Sequence, residues 1–153
     1  MQLRPTLDKF DAVASWLQSP LLLVIRLYWG YAFAVSGWGK LTHLEKTTAF
    51  FTDLNLPMPK VNAILAGGTE CLGGTLLALG LFARPVAVPL VFTMIMAYVT
   101  ADKEALHGIF QEPDKFLEAA PFLFLFAALI VLAFGPGKLS LDALLFRKTS
   151  NAR

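Results

Sequence analysis

Hydrophobic positions in this chain run together rather than alternate. Four stretches, residues 20–38, 61–82, 85–101 and 119–134, are almost wholly apolar, each 16 to 22 residues long. An α-helix rises about 1.5 Å per residue, so such runs approach the ~20 residues that cross a bilayer core of about 30 Å. A water-soluble bundle would show a polar stripe along each helix. These stretches lack one, and residues 122–134 carry no polar side chain. The pattern predicts an all-α integral membrane four-helix bundle with short interfacial helices.

The intervening segments refine that picture. In residues 42–54, Leu44, Thr48 and Phe51 fall on one helical face, which predicts a short interfacial helix stopped by Pro57 and Pro59. The brief Ala83-Arg84-Pro85 turn makes the second and third spans antiparallel neighbours. Pro89 is expected to bend the third span, and Pro121 falls in the first turn of the fourth, where proline is harmless. Gly135, Pro136 and Gly137 end the fourth span, and Ser140 is placed to cap a short helix over 141–146. The first 19 residues contain Arg4, Asp8, Lys9 and Asp11 and no apolar signal core, so the first span is expected to stay as an anchor. Thr6 is placed to cap a helix whose Leu7, Phe10, Val13 and Leu17 share a face, with Trp16 near the membrane boundary. Three segments result: an interfacial N-terminal segment, 1–19; a four-helix membrane domain, 20–146; and a basic C-terminal tail, 147–153.

Composition agrees with the pattern. The chain is 56% hydrophobic and 16% charged, with mean hydropathy +0.61, against about 25% charged for soluble domains. Of its 13 cationic residues, seven fall on the side of the N-terminus, the 2–3 turn and the C-terminus, five on the other side, and Arg26 within a span. The excess favours a multi-pass membrane protein with both termini in the cytoplasm. No basic cluster with interleaved aromatics occurs, which argues against nucleic acid as a partner. The single cysteine, Cys71, cannot form an internal disulfide and reads as a small apolar filler. His43 and His107 lie in loops on one side, near Glu45, Asp102 and Glu104. Without fixed spacing they read as solvated residues, and no metal ligand or catalytic residue is assigned.

Two charges stand inside the spans. Glu70 is the only charged residue between Lys60 and Arg84, and Arg26 the only one between Asp11 and Lys40. Ala63, Gly67, Glu70, Gly74 and Ala78 form a stripe of small residues, with Thr69, Gly73 and Gly80 beside it. Small residues let membrane helices approach closely, so Glu70 is expected to face the bundle interior. Arg26, Gly30, Phe33, Gly37 and Lys40 share a face of the first span. An isolated mid-bilayer charge costs about 2.5–3.5 kcal/mol or more, so Arg26 and Glu70 are expected to pair, directly or through water, Tyr28, Tyr31 or Thr69. Their depths, about 9 and 18 Å from the same surface by helical rise, lie near the limit of side-chain reach. Snorkelling of Arg26 to the interface is the alternative. A buried pair either fixes helix register or forms a site for a head group, a quinone, an ion or a proton.

Four motifs carry a resemblance. "RLYWGYAFAVSGWGKL", with an early arginine and a Gly-x-x-Lys end, "FFTDLNLPMP", "GGTECLGGTLLALGLFARP" and "GPGKLSLD" occur in this order over residues 20–146. The chain resembles the DoxX family of small four-span bacterial membrane proteins. Relatives of that family include the membrane subunit of an archaeal thiosulfate:quinone oxidoreductase, and others are associated with sulfur or oxidative-stress enzymes. The resemblance implies an accessory subunit of a quinone-linked oxidoreductase, with Arg26, Glu70, Tyr28, Tyr31 and Thr69 lining a quinone site. The chain has no flavin, haem, iron–sulfur or dithiol motif, so electrons would come from a partner subunit, and no covalently bound cofactor is expected. A non-catalytic scaffold, or a protein that binds a small lipid or partner, is the alternative. A small transporter ranks below both, because no internal inverted repeat is visible, although a homo-oligomer would supply symmetry.

Overall fold

A computed structural model describes residues 3–146, with side chains from Ala14 onward. Eight helices follow in order: α1 (Leu3–Thr42), α2 (Leu44–Asp53), α3 (Pro59–Leu79), α4 (Ala83–Thr100), α5 (Lys103–His107), α6 (Pro113–Glu118), α7 (Pro121–Phe134) and α8 (Leu141–Leu145). The protein is an all-helical membrane protein. Large apolar side chains cover its outer surface, among them Leu21, Val24, Leu65, Leu72, Phe92 and Phe126. In water such a surface would aggregate; in lipid it is already solvated.

The four apolar helices close into a bundle. α1 packs on α3, α3 on α4, α4 on α7, and α7 returns to α1. Phe33, Leu77, Ala87, Leu90, Ala128 and Val131 form its centre, each with no solvent exposure. Aromatic edges join α1 to α7: the ring centre of Phe124 lies 5.1 Å from Trp29 and 4.7 Å from Phe33. Tyr98, at the far end of α4, stacks on Phe116 and donates to its carbonyl at 2.7 Å, tying the α5–α6 loop down.

Three helices, not four, reach spanning length: residues 14–42 of α1, α3 and α4. α7 is equally apolar but has only 14 residues, about 21 Å of helix. The run expected to begin at residue 119 starts late because Ala119 is extended and Pro121 opens the helix. α1 passes unbroken through Pro20, so among the described residues no helix boundary falls between residues 3–19 and the first span. The proposed Thr6 cap and the Leu7, Phe10 and Val13 face fall outside the described side chains, as does the tail 147–153. α4 likewise runs through Pro89, and the Pro89 carbonyl accepts from Thr93 Oγ1 at 2.9 Å. The helix expected over 42–54 is present as α2, and Ser140 caps α8 by accepting from the Ala143 N–H at 3.1 Å.

Candidate functional site

The seam between α1 and α3 is made of glycine. A methyl group built on Gly30 would stand 2.6 Å from the Ala78 nitrogen, and one on Gly74 2.5 Å from the Ala34 nitrogen. Gly37 meets the backbone of Gly67 and Cys71 just as closely. Such contacts leave no room for Cβ atoms and fix the antiparallel register, Gly30 beside Gly74 and Gly37 beside Gly67. That register decides which polar residues meet.

Toward the α2 end it brings Ser36 and Lys40, one turn apart on α1, to Glu70 on α3. Lys40 Nζ lies 2.5 Å from Glu70 Oε2, and Ser36 Oγ donates to the same oxygen at 2.8 Å. Lys40 Nζ also donates to Ser36 Oγ at 2.8 Å. Glu70 is 2% exposed, whereas the Lys40 side chain keeps 29% of its surface. One charge is dry and its partner touches the outside. Arranged this way, the cluster can hold a proton or donate to a polar group at its open end.

At the other end the register sets Arg26 beside Gly80, the residue after α3. Gly80 has φ of +68°, and the guanidinium fills the space where its side chain would be. Only glycine satisfies both demands. Arg26 is fully buried. Its Nη2 donates to the Leu139 carbonyl at 2.5 Å, while Nε and Nη1 have no partner among the described residues. The negative end of the α3 dipole and the carboxylate of Asp142 face it instead. Asp142 also accepts from the Phe82 and Ala83 N–H groups, at 2.7 and 3.0 Å, and so caps α4. The Asp142 N–H donates to the Gly80 carbonyl at 2.9 Å. Residues 135–142 thus form a strap across the α3–α4 turn.

Arg26 and Glu70 therefore do not pair. Arg26 stands level with Gly80, ten residues beyond Glu70 along α3, or about 15 Å. The glycine register overrides the depth estimate taken from the apolar runs. The interior position of Glu70 on a small-residue stripe holds: Ala63, Gly67, Glu70 and Gly74 are all buried. Tyr28 and Tyr31 point outward, 66% and 71% exposed, and Thr69 hydrogen-bonds to neither charge. Lys40, placed by sequence on the Arg26 and Gly37 face of the first span without a partner, is in the last turn of α1 and is the partner of Glu70. Its place on the Gly37 face was the available signal. Among the described residues no three His, Cys, Asp or Glu side chains gather into a metal-binding group. His43 instead has Nδ1 3.1 Å from the Gly39 carbonyl.

The DoxX family model matches residues 21–103, more than half of the chain. The chain belongs to the DoxX family. Inner membrane protein YphA of Escherichia coli is 30% identical over 138 residues, 90% of this chain and 97% of that protein. An uncharacterized membrane protein of Mycobacterium tuberculosis, Rv3486, is 32% identical over 143 residues, 86% of this chain and 85% of its own. A Bacillus subtilis protein named "Putative oxidoreductase CatD" is 30% identical over 131 residues, 84% of this chain and 90% of its own. No solved structure matches the chain. The matched DoxX segment contains Arg26, Ser36, Lys40 and Glu70, whereas the strap that covers Arg26 lies beyond it.

Proposed function

We propose that this DoxX protein is an accessory membrane subunit of a quinone-linked oxidoreductase of sulfur or oxidative-stress metabolism, and that the Ser36–Lys40–Glu70 cluster is its contact with the quinone. The carrying observation is the asymmetry of the pair: Glu70 is buried while the Lys40 side chain keeps part of its surface exposed. An ammonium held by a dry carboxylate is a charged hydrogen-bond donor on a side chain that a membrane-dissolved carbonyl can approach. When a partner subunit reduces the quinone, protons must follow the electrons. The quinone takes both protons from water as it becomes the quinol; Lys40 stays cationic and hydrogen-bonds the ring oxygen, Glu70 balances the lysine charge, and Ser36 bridges the two. The name of the Bacillus relative points in the same direction. The chain sits in the bacterial cytoplasmic membrane with α7 as its fourth crossing and both termini in the cytoplasm.

The test is quinone binding to the purified protein in nanodiscs. Lys40→Gln and Glu70→Gln are each expected to weaken binding about tenfold or more, the effect of losing a charge-assisted hydrogen bond, and Arg26→Gln to leave it unchanged. If the wild type binds no quinone, the reading fails. A scaffold role then takes its place, and one observation already favours it: the surface grooves at the α3–α4 turn and beside α2 are lined by neither Arg26 nor Glu70.

A further inference from the structure

Beyond the quinone reading, α2 and the first turn of α3 enclose a groove of about 530 Å³, lined by Leu44, Glu45, Thr48, Ala49, Thr52 and Lys60. Two opposite charges share it. Glu45 and Lys60 nevertheless form no ion pair with each other or with any other described residue. Both are exposed. The Thr52 hydroxyl is used by its own helix, donating to the Thr48 carbonyl at 2.9 Å, while the Thr48 hydroxyl has no protein partner among the described residues. The groove therefore offers a cation on its α3 wall and an anion and a free hydroxyl, one turn apart, on its α2 wall.

Its depth is fixed by the sequence around it. Lys60 is the only cation of the spanning helix α3 and lies in its first turn. The next residues facing outward are Val61, Ile64 and Leu65. Lys60 therefore marks the boundary where water gives way to hydrocarbon, the level of lipid phosphates. We propose that the groove seats the head group of a zwitterionic phospholipid. Its phosphate lies on Lys60 and the Thr48 hydroxyl, its ammonium on Glu45, and its acyl chains descend along Val61, Ile64 and Leu65. An anionic lipid such as phosphatidylglycerol would meet the Lys60 ammonium but offer the Glu45 carboxylate only a neutral hydroxyl in place of an ammonium, a weaker contact.

Native mass spectrometry of the full chain, released from mild detergent and titrated with phosphatidylethanolamine or phosphatidylglycerol, tests the site. Phosphatidylethanolamine should bind about fivefold tighter, one charge contact at an exposed site. Lys60→Gln and Glu45→Gln should each remove about that factor, while Lys46→Gln, on the same helix outside the groove, should remove none. Circular dichroism confirms that these exposed substitutions leave the fold intact. Equal affinity for the two lipids overturns the proposal. So does an equal loss in Lys46→Gln, which would show only a diffuse surface field. Soluble phosphoethanolamine binding as tightly as the lipid also overturns it, because the site would then recognise a free metabolite.

Discussion

Two buried charges in one chain are held in opposite ways, and the difference is measurable. Glu70 accepts from Lys40 and Ser36 at 2.5 and 2.8 Å, so its charge is compensated at short range. Removing one member of such a pair leaves the other stranded, which costs about 3–5 kcal/mol when both are dry. Because Lys40 keeps 29% of its side-chain surface, the lower end of that range applies to Glu70→Gln, read as a loss of stability in detergent unfolding. Arg26 has one hydrogen bond and two unused nitrogens. Each unsatisfied buried donor costs about 1–3 kcal/mol, so Arg26→Met, which fills the volume without the donors, is expected to change stability by about 1 kcal/mol or less. A large drop in Arg26→Met would mean that the α3 dipole and Asp142 hold the guanidinium more strongly than their geometry implies.

At the scale of the element, glycine spacing sets the site. Gly37 has no room for a methyl group against Gly67 and Cys71, so Gly37→Ala must push α1 away from α3. Overpacking of this kind costs about 1–3 kcal/mol, and it should also lengthen the Lys40–Glu70 contact and weaken whatever binds there. Gly39, beside which a methyl group meets nothing, is the control: Gly39→Ala should leave stability unchanged or raise it slightly. The helices themselves were legible in the sequence, because hydrocarbon demands long unbroken apolar runs and the chain has them. Residues 61–82 anticipated α3 at Pro59–Leu79, and 85–101 anticipated α4 at Ala83–Thr100. The burial of Glu70 was legible for the same reason: it stands on a stripe of small residues. Its partner was not. Lys40 lies at the end of an apolar run, where lysine ordinarily belongs to the interface. Its place on the Gly37 face hints at an inward reach, and the three-dimensional register of Gly30, Gly37, Gly67 and Gly74 decides it. The partner of Arg26 is a backbone carbonyl 113 residues away, and every residue has a carbonyl, so no side-chain pattern marks it.

For the whole molecule, the bundle of α1, α3, α4 and α7 places Ser19 and Leu22 of α1 and the 135–142 strap at the same end. Leu22 lies under Gly137, and the Lys138 N–H donates to Ser19 Oγ at 3.3 Å. Topology follows from this end's position. With Cys71 replaced by serine, a cysteine at Lys138 should react with membrane-permeant maleimide only, whereas one at Lys46, on α2 at the opposite end, should also react with an impermeant reagent in intact cells. The reverse pattern would invert the proposed orientation.

The strap also imposes an order on assembly. Arg26 leaves the ribosome 113 residues before Leu139, the residue whose carbonyl receives it, a wait of roughly 6 to 20 s at ordinary translation speeds. During that interval the first helix carries an uncovered guanidinium. It must linger beside the insertion machinery or keep the charge at the lipid surface until the last helix arrives. The final dozen described residues thus complete the environment of the first span, and a chain interrupted before them would present quality-control proteases with an arginine in lipid.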